Sequence, residues 1–234
     1  MNKEMKTKLY RAASRGHANY GWLNTNYSFS FADYYNPERI HFGNLRVLND
    51  DIITAENGFG KHPHDNMEII TVPIFGKLTH KDSMGHEQQI GENEVQVMSA
   101  GTGIFHSEYN DSKEDAGILQ IWIFPKSKNI KPTYSQTWFD PKGAEGEWQF
   151  LVNGGSSPLK INQDARISRI KLEAGTEKAY SLLPSSHGSF LFLIEGKVEV
   201  EGNELERRDA LEITDGGSFN IKATSDSYIL NIEV

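Results

Sequence analysis

The sequence predicts an all-β protein, its sheets closed into barrels or stacked as a sandwich. Three observations carry that expectation. Short segments rich in β-branched and aromatic residues recur along the chain with partial period-2 alternation. Glycine and polar turn residues punctuate them at close intervals. No stretch keeps the 3.6-residue periodicity of a long amphipathic helix. A sheet with one apolar face must bury it against another sheet or against itself, which leaves a sandwich or a barrel.

The strand signals in the first half are LRVLN (45–49), MEIITVPIF (67–75), EVQVMSA (94–100) and ILQIWIF (118–124). NGFG (57–60), DSMG (82–85) and GTG (101–103) supply turns between them. A break falls between about 140 and 160, where DPKGAEGEW and NGGSSP read as a linker or a wandering crossover. Strand signals then resume in ISRIKLEAG, SFLFLIEGKVEV, DALEI, SFNIKA and YILNIEV. The expected division is one domain over 1–140 and a second over 141–234. IFGKL (74–78) and IEGKV (194–198) stand 120 residues apart, each an apolar strand ending in a glycine turn. That echo points to two copies of one β module.

The 234 residues are 37% hydrophobic and 24% charged, a folded globular balance. A net charge of −8 argues against broad binding to nucleic acid or to anionic membranes. There is no cysteine, so disulfides, iron–sulfur clusters and thiolate chemistry are excluded, and any metal must sit on nitrogen and oxygen. The segment MNKEMKTKLYRAASRG lacks the apolar centre of a signal peptide, and no apolar run reaches membrane-spanning length. A cytoplasmic protein is the expectation.

The chemistry gathers around HPHDNMEI (62–69). On a strand, His62 and His64 point to one face roughly 6–7 Å apart and can converge on one ion. Pro63 between them has no amide hydrogen, which suits an edge, a bulge or a strand start. GTGIFHSEYN (101–110) repeats the relation with His106 and Glu108. Three imidazoles and one carboxylate suit a divalent transition metal, Fe(II), Mn, Ni, Cu, Co or Zn; the pattern fixes the ligand hardness and not the metal. Such a shell leaves positions open for a substrate oxygen and for dioxygen or water. Glu68 competes with Glu108. It shares the parity of His64, but a regular strand puts it about 13 Å away. A bulge or tight bend would be needed to bring it back, so spacing favours Glu108 and leaves Glu68 as an acceptor behind the ligands, a general base or a solvated residue.

The other histidines carry less. His80 and His86 flank KDSMG and read as a surface turn; His17 and His41 sit among aromatics and read as packing or hydrogen-bonding residues. By the 120-residue echo, positions 62 and 64 correspond to Leu182 and Pro184, so the second module lacks the imidazoles. Trp22, Tyr27, Phe29, Phe31, Tyr34 and Tyr35 are either core or the lining of a pocket for a flat ligand, and Gln120, Trp122 and Phe124 on one strand face present the same choice.

With these residues in place, the chain resembles the pirin family of the cupin superfamily. RGHANYGWLNTNYSFSFADYYNP (15–37) is similar to the family's N-terminal signature; GFGKHPHDNMEI and MSAGTGIFHSEYN are similar to its metal-binding segments, and LQIWIFP (119–125) to the strand that follows. The wider cupin pattern is present as His62-x-His64-x3-Glu68 and Gly103-x2-His106-x3-Asn110, without the usual proline before that glycine. The resemblance is specific over 8 to about 126 and weak over 140–234. It implies two cupin barrels, a bicupin, with His62, His64, His106 and Glu108 as ligands in the first and no metal set in the second.

The resemblance also implies an activity like that of quercetin 2,3-dioxygenase, which opens a flavonol ring with dioxygen and releases carbon monoxide. Glu108 would then take the proton of the flavonol hydroxyl, with Glu68 as a candidate helper. It equally allows a metal-dependent regulatory module that binds a protein partner, or a cupin enzyme with another small substrate. A deep open cavity would favour catalysis, and a flat aromatic patch over a closed metal shell would favour binding.

Overall fold

The computed structural model describes residues 4–234 and divides them into two units, each built from one large and one small antiparallel sheet. Among the described residues the helical content is limited to short 3-10 turns at Ala12–Ser14 and Pro141–Ala144. No helix among them is long and apolar enough to cross a membrane. The all-β expectation holds, and the turn glycines and β-branched runs fall where strands end and where strands run.

In the first unit the large sheet orders its strands as Thr133–Trp138, Glu94–Ser99, Glu68–Phe75, Ala116–Ile123, Leu45–Ile53, Leu23–Tyr27 and Gly16–Asn19. The small sheet runs Asn57–His64, Ile104–Asn110, Lys77–Asp82 and Glu87–Gly91. Leu23, Ile53, Ala116 and Ile118 of the large sheet pack on Leu78 of the small one, and Trp22 and Phe59 close that end. Burying a leucine or isoleucine in this way contributes about 1.5–3 kcal/mol, so the barrel is held by its flanks whatever occupies its middle.

The second unit repeats the order. Its large sheet runs Lys6–Tyr10, Ala210–Thr214, Gly188–Glu195, Ser227–Glu233, Arg166–Leu172 and Gln149–Val152, and its small sheet Glu177–Ser181, Ser218–Ala223, Lys197–Val200 and Asn203–Glu206. The echo seen in the sequence marks the same corner in both. Gly76 and Gly196 each carry the chain from the large to the small sheet with φ of +69° and +94°. A Cβ would lie 2.7 Å from Asp115 O at Gly76 and 2.2 Å from Asp226 O at Gly196, so glycine is required on two grounds.

The linear split at 140 needs correction. Lys6–Tyr10 pairs with Ala210–Thr214 and belongs to the second unit, where it fills the edge place that Thr133–Trp138 takes in the first. Residues 159–163 belong to the first unit. The segment from 140 to 158 is not a free linker: Gln149–Val152 pairs with Arg166–Leu172, and Trp148 and Phe150 pack on the apolar core of the second unit. Its Gly, Ser and Pro content masked a short strand with buried Leu151 and Val152.

Candidate metal centre

The Asn57–His64 strand lies at the edge of the small sheet, so the missing amide of Pro63 breaks no ladder. Its partner is the Ile104–Asn110 strand, which sets His106 directly opposite His62. The register then slips between His106 and Glu108. The imidazole centroids stand 4.4 Å apart for His62 and His106, 4.8 Å for His62 and His64, and 4.9 Å for His64 and His106. One donor atom from each falls within 4.8 Å of the others.

Glu108 joins a second group, His80–His106–Glu108, that shares His106 with the first. The reason is its anchorage on the facing sheet. Thr71 Oγ1 donates to Glu108 Oε1 at 3.1 Å, and Gln120 Nε2 donates to Oε2 at 2.9 Å. The residues fit a divalent transition metal. His62 Nδ1 faces the Gly60 carbonyl at 2.8 Å, so that nitrogen carries the proton and Nε2 keeps its lone pair. His106 is 1% exposed, yet neither ring nitrogen has a protein partner. Burial first, then the neighbouring His62, lowers the pKa of His64 to about 4; burial and the surrounding His62, His64 and His80 lower that of His106 to about 2. Both rings are therefore neutral, as ligation needs. Burial pushes the Glu108 carboxyl up to about 7, against the pull of Thr71 and Gln120.

Glu68 is displaced from the role expected for a helper. The chain turns at Asn66, whose φ is +46°, and leaves the small sheet for the large one. The parity shared with His64 is lost at that corner. On the Glu68–Phe75 strand, Ile69 lines the cavity and Thr71 reaches Glu108, so Glu68 faces the other side of the sheet. There its Oε2 accepts from Ser99 Oγ and from Asn162 N, and burial raises its pKa. It holds residues 159–163 to this unit and does not line the cavity.

His80 was misread as a surface turn. Its side chain is fully buried, with its ring 5.3 Å from His106 and stacked on Tyr134 at 4.7 Å. His80 Nε2 lies 3.3 Å from Asp82 Oδ2, and His86 Nδ1 lies 2.8 Å from the same oxygen; the His86 side chain is 39% exposed. The signal was the alternation Leu78-x-His80-x-Asp82, which puts all three on the inward face. His17 and His41 behave as expected, bonded to Asn24 Oδ1 and Gly43 O at 2.8 Å each.

Beside the histidines lies a cavity of about 250 Å³, near the lower end of small-molecule sites, which run from ~300 Å³. Tyr27, Phe31, Phe59 and Trp122 give it aromatic walls, with Trp122 edge-on to His64 at 4.8 Å and to Phe31 at 5.3 Å. The early aromatics therefore divide: Tyr27 and Phe31 line the cavity, Phe29 is core, Trp22 packs on Phe59, and Tyr35 is exposed. Of the strand face at 120–124, Gln120 and Trp122 reach the cavity, while Phe124 packs on His41 instead.

In the second unit the equivalent places carry no imidazole or carboxylate, and Tyr180, opposite Phe219, stands where His62 does, two residues before the Leu182 that the 120-residue echo pointed to. His80 pairs with Glu108 in the first small sheet, and Val200 pairs with Ile221 in the second. Stepping two residues back sets Phe219 where His106 stands. Val200, Phe219 and Ile221 are all buried in one apolar cluster. Both groups of potential ligands found among the described residues lie in the first unit.

The pirin family model matches residues 7–123, and the model for the quercetinase C-terminal cupin domain matches 152–234. A quercetin 2,3-dioxygenase of Escherichia coli K12 is 41% identical, covering 95% of this chain and 96% of its own. A pirin-like protein of Caulobacter vibrioides is 40% identical, covering 93% and 95%. The crystal structure of the bacterial pirin YhhW of Escherichia coli in complex with nickel(II) superposes with a TM-score of 0.92 at 39% identity, over 98% of this chain and 99% of that one.

Proposed function

The chain belongs to the pirin family of cupin proteins, and from that premise we propose that it is a metal-dependent dioxygenase of the quercetin 2,3-dioxygenase type. The observation that carries this reading is an aromatic-walled cavity opening directly onto three inward-facing imidazoles. A binding module has no need of an enclosed space there. His62, His64, His106 and Glu108 would hold the ion, which would supply Lewis acidity and a redox path to dioxygen.

The protein's own residues perform four tasks. Trp122 and Phe31, packed edge to face, form an aromatic corner against which a flat substrate can lie, and with Phe59 they keep water from the reacting carbons. Gly60 O fixes the His62 ring, which aims Nε2 inward. Thr71 and Gln120 hold the Glu108 carboxylate where it faces both the histidines and the cavity. Glu108, which faces the cavity beside the histidines, would accept the proton of the substrate hydroxyl. The substrate is thereby held as its anion, the form that reacts with dioxygen.

The test is dioxygen uptake with quercetin, using protein stripped of metal and reloaded anaerobically with Fe(II) or Ni(II), occupancy being measured in the same sample. Uptake with matching release of carbon monoxide, absent in His62→Ala, is expected. Full occupancy by either metal without uptake or carbon monoxide overturns the reading.

A further inference from the structure

The large sheet of the first unit carries polar residues across its inward face. Tyr27 pairs with Asn49, Asn49 with Gln120, and Gln120 with Thr71. Gln120 and Thr71 are explained by Glu108. The other end of the row is not. There Asn49 stands two residues from Asp51 on one strand, and Asp51 pairs across to Thr25 on the next. All three side chains line the cavity and are at least nine-tenths buried, at 4%, 3% and 0% exposure. Asn49 Oδ1 and Asp51 Oδ1 lack a protein partner, and Thr25 Oγ1 stands near the Asp51 carboxyl and Tyr27 without reaching full hydrogen-bonding geometry to either. A buried polar atom without a partner costs about 1–3 kcal/mol, and three on one wall of one cavity are a poor way to build a core.

We propose that Thr25, Asn49 and Asp51 form a second polar subsite of the cavity that takes a phenolic hydroxyl of the substrate away from its metal-binding oxygens. The inference rests on the flavonol reading of the site. Asn49 Oδ1, the carbonyl oxygen of the Asp51 carboxyl and the Thr25 hydroxyl can each accept from a phenol or a vicinal pair of phenols. The subsite begins one strand from Gln120 and ends two strands from it, roughly 5–10 Å, a span that suits one linked ring system reaching from Glu108 to Asp51. A site built to bond a hydroxyl rejects the analogue that lacks it far more strongly than an apolar pocket can, because its own polar atoms are then left unpaired.

The experiment measures the dissociation constants of quercetin and of 3-hydroxyflavone, which keeps the metal-binding oxygens but has no other hydroxyl, on the full-length nickel-loaded protein. The wild type is expected to prefer quercetin at least tenfold. Asp51→Leu should reduce that preference to less than threefold by weakening quercetin alone, with metal occupancy and 3-hydroxyflavone affinity unchanged. Thr25→Val provides the same readout if Asp51→Leu does not fold, and Asp51→Asn should retain part of the preference. If both ligands bind the wild type equally, or the variants keep its preference, the subsite is refuted and the flavonol reading stands. If neither ligand binds the loaded wild type, the flavonol reading fails and the subsite with it.

Discussion

Asp51 gives the sharpest test of how dry the cavity wall is. It is 3% exposed, and its carboxyl is pushed from 3.8 up to about 7. Burial is the largest cause; the nearby Thr25 opposes it, and the charges of Asp50 and Glu108 add to it. In the unfolded chain the same carboxyl releases its proton near pH 4, whereas the folded chain keeps it until about pH 7. Stability is therefore fully present below the unfolded value and is lost as pH rises through the folded one. At 1.36 kcal/mol per unit, the whole effect is up to about 4 kcal/mol, and the part between pH 5 and pH 8 is about 2–3 kcal/mol. Asp51→Asn keeps the shape and removes the ionisation. Denaturant unfolding of the metal-stripped protein at both pH values should show the wild type losing about 2–3 kcal/mol more than the variant. Glu108, raised from 4.5 to about 7, titrates in both proteins, so the comparison isolates Asp51 together with its coupling to Glu108. Parallel losses in the two proteins would mean that Asp51 titrates as an ordinary aspartate, and the argument for an enclosed, low-dielectric wall would collapse.

The remaining predictions concern the ion, the corners and the second barrel. The His62→Ala, His106→Ala double variant should lose stoichiometric nickel binding by calorimetry while keeping its circular dichroism, because the flanking cores do not involve these rings. For the same reason chelation should leave a cooperative melt, and loss of fold on chelation would show a structural ion instead. Gly76→Ala and Gly196→Ala should each cost about 1–3 kcal/mol in denaturant unfolding, from the positive φ and the backbone oxygen in the path of the new Cβ. Phe219→Ala should cost about 3–5 kcal/mol and leave nickel affinity unchanged; a parallel fall in affinity would contradict the independence of the second interior.

What the sequence made legible follows from period 2. Every strand signal of the first half fell on a strand, and His62, His64, His106 and Glu108 were singled out because i, i+2 pairs share a face. Misreadings arose where the chain changes sheet or where composition outvoted alternation. Counting parity from His64 through Asn66 to Glu68 assumed one continuous strand, and the corner voided it. His80 was judged by the polar turn beside it, although Leu78 two residues earlier already marked its face as inward. The pairing of Lys6–Tyr10 with Ala210–Thr214 spans most of the chain and leaves no local trace, since a strand signal does not say which edge it joins.

The two barrels show what the metal site costs. They share strand order and the glycine corner, so their backbones pose the same packing problem. The second solves it with Val200, Phe219 and Ile221, each contributing by burial. The first sets His80, Glu108 and His106 in the equivalent places and adds Thr25, Asn49 and Asp51 on the facing sheet. The unpartnered groups are the His106 ring, His80 Nδ1 and the oxygens of Thr25, Asn49 and Asp51; at about 1–3 kcal/mol for each, that interior forgoes a stability comparable with the whole of a typical domain's 5–15 kcal/mol. Fully buried Ile53, Leu78, Ile118 and Ile69 on the flanks offset it, which explains why the polar residues are confined to the middle of the barrel. It follows that an ion and a hydroxylated ligand should each raise the melting temperature, because each satisfies groups that the folded chain alone leaves without a partner. The destabilised interior and the binding interior are one set of residues.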